Sequence, residues 1–119
     1  MSSSALLSRN EAASLSLGET TQAVGHGIVS RTVLATPELR VVLFSFAAGQ
    51  SLTEHTNPAR ALIHVLGGVC EFSVAGQPRT LRAGDLLHLP PNVPHAVQAT
   101  EALTMLLTLA PARKDSLAG

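Results

Sequence analysis

Two histidines carry the clearest chemical signal in this 119-residue chain. His55 belongs to the segment GQSLTEHTN, which begins at Gly49, and His95 ends the segment GDLLHLPPNVPH, which begins at Gly84. Each histidine lies at the end of a predicted strand, so the two imidazoles can converge on one pocket. Imidazole can bind a metal ion, form hydrogen bonds or act as a general base. The pair therefore predicts a divalent metal site or the polar end of a small-molecule pocket.

The first segment resembles the first signature motif of the cupin family, small β-barrel proteins that usually hold a divalent metal inside the barrel. Gly49 and Gly68 match the glycines of that motif, and His55 matches its first histidine. Asn57 stands where the family has a second histidine, and Ala61 stands where it has a glutamate. The match to this motif is therefore partial.

The second segment resembles the second cupin motif more closely. Gly84, Pro90 and His95 fall at the expected places, whereas Asn92 replaces a glycine and Ala99 replaces an asparagine. The resemblance implies an all-β fold, an antiparallel jelly roll that encloses a pocket between its sheets.

The number of donors decides the metal hypothesis, because a divalent ion is normally held by three or four protein N, O or S atoms. The motif positions supply the imidazoles of His55 and His95. Asn57 could add an amide oxygen as a weak third donor, and Ala61 offers none. We therefore expect one divalent ion (Zn, Ni, Fe or Mn) to bind weakly or not at all unless another donor moves in.

Three other side chains could replace the missing donors. Glu54 is adjacent to His55, and His88 lies in the strand that leads to the second motif. His64 would need a bulge at residues 57–59 to turn inward. For His64 and His88 an ordinary hydrogen-bonded or interface position is the simpler interpretation.

Two functional hypotheses follow from these residues. In the favoured one the protein is a small-molecule binder in which His55 and His95 line a largely apolar pocket. In the alternative it is a metal-dependent cupin enzyme of the dioxygenase, isomerase or lyase type that acts on a small carbonyl or hydroxy substrate. The predicted pocket residues are Val42, Phe44, Asn57, Arg60, Ile63, His88 and Met105. Arg60 would offer a positive fork to a carboxylate or phosphate, or would pair with Glu54.

Short runs of Val, Ile, Leu, Thr and Phe separated by turn residues predict the strands that position these side chains. In the strand after Asn57, alternation places Ala61, Ile63 and Val65 on one face and Leu62, His64 and Leu66 on the other. The cupin resemblance implies that Ala61 faces the interior and His64 the outside. The predicted strands span residues 27–35, 38–46, 51–55, 61–66, 70–74, 79–82, 85–89, 95–99 and 103–109.

The amino-acid composition argues against several classes of partner and location. Eight basic and eight acidic residues give a net charge of zero, which argues against nucleic acid or an anionic membrane as a partner. The single cysteine, Cys70, excludes an internal disulfide and is predicted to be packed. No long apolar span or export leader is evident, so a cytoplasmic location is expected.

The chain is predicted to form one domain. Residues 1–22 form an N-terminal arm, residues 23–110 the barrel domain and residues 111–119 a short tail. Two segments, 10–17 and 99–107, have some helical propensity, although the β-rich surroundings argue against a helix in the second. A homodimer is expected, with Leu62 and Leu66 beside His64 as its interface.

Overall fold

The structure is a computed structural model that describes residues 5–21 and 24–112. These described residues form one short helix and nine strands, and every predicted strand is present with boundaries within two residues of those expected. The elements are α1 Leu17–Thr20, β1 Ile28–Ala35, β2 Arg40–Phe46, β3 Ser51–His55, β4 Arg60–Gly67, β5 Val69–Val74, β6 Gln77–Arg82, β7 Leu86–Leu89, β8 His95–Ala99 and β9 Leu103–Ala110.

The strands form two antiparallel sheets. A five-stranded sheet has the order β1-β2-β9-β4-β7, and a four-stranded sheet has the order β3-β8-β5-β6. The predicted all-β, antiparallel jelly roll is therefore confirmed. Two facing sheets bury the alternate residues of each strand between them, and this arrangement leaves room for a pocket.

The alternation of buried and exposed residues is clearest in β4. Ala61, Ile63 and Val65 are buried, whereas Leu62 and His64 are exposed on the outer face. This is the orientation that the sequence predicted. The core that joins the sheets draws on both of them, and its most deeply buried large side chains are Phe46, Ile63, Val65, Cys70, Phe72 and Leu103.

The hairpin between β5 and β6 turns at Ala75 and Gly76, in the segment AGQP. Both residues have positive φ, 52° and 80°, which is the signature of a type I′ turn. Pro78 follows in β6, which is an edge strand of its sheet and so tolerates a residue without an amide hydrogen.

The described part of the predicted arm contacts β1 of its own chain. The amide of Leu6 donates to the carbonyl of Thr32 at 3.1 Å, and that of Leu7 donates to Val33 at 2.8 Å. The helix considered at residues 10–17 is absent, because α1 begins only at Leu17, after its N-cap Ser16. Residues 99–107 form the end of β8 and most of β9.

The predicted homodimer stays a prediction. Leu62 and His64 are exposed on the outer face of the five-stranded sheet and Leu66 is partly buried, while His64 pairs with the exposed Leu86 of β7. Residues 1–4, 22–23 and 113–119, which include most of the predicted tail, lie outside the described residues. Within the residues that are described, no helix is long and apolar enough to cross a membrane.

Candidate functional site

The candidate site is a pocket between the two sheets, with a volume of about 580 Å³ that includes space open to solvent. Its walls come from β2, β4, β7 and β9 on one side and from β3, β5 and β8 on the other. The residues that line it are Phe44, Leu52, His55, Asn57, Ala59, Ala61, Ile63, Phe72, Leu89, Pro90, His95, Val97, Met105, Leu107 and Leu109. Twelve of these are apolar and none is charged.

A bulge in β3 brings His55 into this pocket. Leu52 pairs with Val97 and His55 pairs with His95, so three steps along β3 match only two along β8. In a regular strand Leu52 and His55 would lie on opposite faces. The extra residue places both on the pocket side.

The two histidines lie next to each other across β3 and β8. Their ring centroids are 4.3 Å apart and the ring planes are inclined at 60°. Phe72 stacks on the other side of His95, at a centroid distance of 6.2 Å and an angle of 19°. The histidines that the sequence singled out are therefore brought together by the fold.

Both imidazoles are anchored in the same way. His55 Nδ1 lies 2.8 Å from the carbonyl oxygen of Thr53, and His95 Nδ1 lies 2.9 Å from that of Val93. A carbonyl oxygen can only accept, so each Nδ1 carries a hydrogen and donates it. In the neutral ring Nε2 is then left as an acceptor, and it is also the atom that can bind a metal.

Asn57 lines the pocket, but its side-chain oxygen already has a partner. Oδ1 accepts a hydrogen bond from the amide of Ala59 at 2.8 Å, which forms a local turn at the start of β4. The oxygen proposed as a third metal donor is therefore engaged by the backbone. The amide NH₂ is the group that Asn57 can still offer to a ligand.

Three predicted pocket residues lie elsewhere, which corrects the sequence interpretation. Arg60 and His88 are exposed on the outer face of the five-stranded sheet, where an Arg60 guanidinium nitrogen lies 2.8 Å from His88 Nε2 and donates to it. The reason is strand alternation, since Ala61 and Leu89 are the inward residues of β4 and β7. Val42 is buried in β2 but is not part of the pocket wall. Phe44, Ile63 and Met105 do line the pocket.

The side chains considered as substitute metal donors do not reach the pocket either. Glu54 and His64 are exposed and absent from its wall, and the pairing of β4 with β7 is regular from Ala61 to His64, so no bulge turns His64 inward. Across residues 5–21 and 24–112, no group of three or more His, Cys, Asp or Glu side chains could hold a metal ion. The donor set is therefore two imidazoles, short of the three or four of a complete protein site.

Cys70 is fully buried in β5 and does not line the pocket. Burial raises the pKa of its thiol to about 11, and the charge of Glu71 adds to this effect. The side chain is thus a protonated thiol near neutral pH and a poor nucleophile, as the sequence indicated.

Much of the pocket wall was missed at the level of the sequence. Val97 could have been found by counting two residues from His95, and Leu107 and Leu109 by counting on from Met105, because alternate residues of a strand share a face. Leu52 could not have been found in this way, since the bulge separates it from His55.

The family model described as "Cupin domain" matches residues 42–109. The chain belongs to the cupin family. No curated protein matches its sequence significantly.

Solved structures of other proteins share the fold of this cupin. A conserved protein of unknown function, SPY1581 from Streptococcus pyogenes, is 26% identical with a TM-score of 0.80, covering 95% of this chain and 99% of the other. KdgF from Halomonas sp. is 30% identical with a TM-score of 0.70, and the match covers 81% of this chain and 91% of the KdgF chain.

A cupin 2 conserved barrel domain protein from Leptotrichia buccalis is 38% identical with a TM-score of 0.74. The match covers 78% of this chain but 45% of that one, so this cupin aligns with less than half of the longer protein.

Proposed function

We propose that this cupin binds a small, mostly apolar molecule inside its barrel and that His55 and His95 form hydrogen bonds with the polar end of the ligand. The observation that carries the proposal is the pocket wall, in which twelve apolar side chains accompany only His55, Asn57 and His95. A largely apolar cavity with a few polar groups at one place is the usual form of a small-molecule site.

The energetics favour apolar contacts as the source of affinity. Burial of apolar surface contributes roughly 25 cal/mol per Å², so a ligand that buries about 200 Å² of it gains about 5 kcal/mol before the cost of association. The polar groups add less to the affinity than to the orientation of the ligand, because each neutral hydrogen bond contributes only about 1 kcal/mol net.

A metal has weaker support. His55 and His95 supply two Nε2 donors, Asn57 Oδ1 is bonded to the backbone, and Ala61 has no donor atom. The binding of zinc to a complete structural site contributes about 10 to 16 kcal/mol of free energy, and the loss of two strong donors removes a substantial part of it. We propose a metal site that is weak or absent.

The second candidate is the metal-dependent enzyme, of the dioxygenase, isomerase or lyase type. One observation favours it, the anchoring of both Nδ1 atoms, which leaves both Nε2 atoms of the neighbouring rings free to act as ligands. Of the residues on the pocket wall, His55 and His95 are the two that would hold a divalent ion such as Zn, Ni, Fe or Mn. The ion would supply Lewis-acid chemistry.

The binding proposal can be tested with the neutral fluorescent probe N-phenyl-1-naphthylamine. The chain has no Trp or Tyr, so emission of the probe is not obscured by the protein. We expect saturable binding of one probe per chain. Leu109→Glu, at the partly buried pocket wall, should weaken binding at least about tenfold because it buries an unpaired carboxylate.

Leu86→Glu is the matched control, since it makes the same change on the outer face. Equal binding by both variants would place the probe outside the barrel and contradict the proposal. Elemental analysis of untagged protein and of the His55→Ala, His95→Ala double variant separates the two candidates. One metal per chain that is lost in the double variant would favour the enzyme.

A further inference from the structure

The polar groups of the pocket select for a particular kind of ligand end. This selectivity rests on the proposed function, the binding of a small molecule in the barrel. The backbone fixes the tautomer of both imidazoles, because Nδ1 of His55 and of His95 donates to a carbonyl oxygen at 2.8 and 2.9 Å. In the neutral rings, both Nε2 atoms are therefore acceptors without a hydrogen.

Asn57 offers the opposite polarity. Its Oδ1 already accepts a hydrogen bond from the amide of Ala59, and its NH₂ group can donate to a ligand. The polar side of the pocket thus combines two acceptors with one donor. A hydroxyl group matches both the imidazole acceptors and the amide donor, because it donates one hydrogen bond and accepts others. An ether or a ketone only accepts, so it would leave the imidazole acceptors without a partner.

Charged ligand ends are disfavoured for a separate reason. The pocket wall contains no Asp, Glu, Lys or Arg, and Arg60, which lies within the first motif, donates to His88 on the outer face. With both imidazoles neutral, a carboxylate or phosphate inside the barrel would find no positive partner there, and an ammonium group would find no carboxylate. A buried charge without a partner costs far more than a buried hydroxyl that is hydrogen-bonded.

We infer that the ligand of this cupin is an uncharged alcohol or phenol with an apolar body, whose hydroxyl group donates to Nε2 of His55 or His95 and accepts from Asn57. The apolar body occupies the region lined by Phe44, Ile63, Met105 and Leu107. The hydroxyl lies between the histidine pair and the Asn57 amide.

Three probes of nearly equal shape test this inference: 4-ethylphenol, 4-ethylanisole and 4-ethylbenzoate. Their binding is measured by displacement of N-phenyl-1-naphthylamine at pH 8 from protein freed of metal with a chelator. We expect the phenol to bind about tenfold more tightly than the ether, the equivalent of one lost hydrogen bond. The benzoate should be weaker than the phenol by at least the same factor.

Two variants link the preference to the histidines. The His55→Phe, His95→Phe double variant keeps two aromatic rings but removes both acceptors, so the phenol should lose its advantage while the ether binds as before. Should this protein not fold, His55→Phe alone, at an exposed ring, should still reduce the preference. His64→Phe, on the outer face, is the matched control and should leave it unchanged.

The possible results distinguish a failure of the hydroxyl preference from a failure of the binding pocket itself. Equal binding of phenol and ether, or tightest binding of the benzoate, would overturn the inference and leave an apolar binding pocket in place. If the fluorescent probe itself failed to bind the natural chain, the proposed function and the inference would both fail.

Discussion

The amide of Asn92 donates a hydrogen bond to the carbonyl oxygen of Asn57 at 2.8 Å. This bond ties the loop that precedes His95 to the loop that follows His55, so it helps to hold the two histidines at the same side of the pocket. Asn92 reaches this position with a φ of 67°, in the left-handed region. The family motif has a glycine here, and asparagine is one of the few other residues that adopt this conformation readily.

Substitution of Asn92 should therefore depend on backbone freedom. Asn92→Gly should change the free energy of unfolding by less than about 0.5 kcal/mol. Asn92→Val should lower it by about 1–2 kcal/mol, because a β-branched side chain is strained at positive φ. Urea denaturation of the two variants measures this difference. Equal stabilities would mean that the loop relaxes away from the left-handed conformation.

Gly68 and Gly84 form a second matched pair. Both have positive φ, 87° and 93°, but a Cβ on Gly68 would lie 2.0 Å from the carbonyl oxygen of Ala102, whereas a Cβ on Gly84 meets nothing within 4 Å. Gly84→Ala should cost about 1 kcal/mol through the backbone conformation. Gly68→Ala should lower the free energy of unfolding by about 1–3 kcal/mol more than Gly84→Ala does, because the new Cβ and the carbonyl of Ala102 must move apart.

Thermal denaturation compares the two glycine variants. For a domain of this size, each 1 kcal/mol lowers the melting temperature by about 4–8 °C, so Gly68→Ala should melt clearly below Gly84→Ala. A smaller loss for Gly68→Ala than for Gly84→Ala would show that the turn between β4 and β5 is not tightly packed against β9.

The alternation of side chains made the fold predictable. In β4, every second residue from Ala61 to Val65 is buried. Strand alternation predicted which residues share a face, and the cupin motif predicted which face is the inner one. The turns were equally visible, because AGQP and the glycines mark the ends of strands by their allowed φ values. Strand positions therefore followed from local chemistry alone.

The details of the site depended on contacts that a linear pattern does not contain. The bulge in β3 has no signal in Thr53 or Glu54, yet it decides that Leu52 and His55 share a face. Arg60 and His88 were assigned to the pocket because they are near the motifs in sequence, and they lie instead on the outer face. The tautomers of His55 and His95 depend on carbonyl positions that appear only in the folded chain.

The buried thiol predicts a pH dependence of stability. Burial raises the pKa of Cys70 from 9.0 to about 11. The folded state then keeps a proton that the unfolded chain loses, so this contribution is fully present below pH 9 and is lost as the pH rises through about 11. A pKa shift of this size corresponds to roughly 2–3 kcal/mol in the free energy of unfolding.

Urea denaturation at pH 8 and at pH 11 tests this dependence. Cys70→Ala is the control, because it removes the titrating group and leaves the other ionisable residues unchanged. The natural chain should lose more stability between the two pH values than the variant does. An equal loss in both proteins would assign the effect to other groups.

The metal site should be recoverable if missing donors are the reason for its weakness. Asn57 and Ala61 both line the pocket beside His55 and His95, at the positions where the cupin motif has a histidine and a glutamate. The Asn57→His, Ala61→Glu double variant would supply four donors, enough for a divalent ion.

We expect about one zinc per chain in this variant and far less in the natural protein, measured by elemental analysis after exposure to zinc and removal of excess. Asn57→His with Leu62→Glu carries the same added groups, but Leu62 is on the outer face, so this variant has three donors in the pocket and should retain less zinc than the four-donor variant. One zinc per natural chain would instead mean that two histidines suffice with help from a donor outside the pocket wall, and the metal-dependent enzyme would become the better account of this cupin.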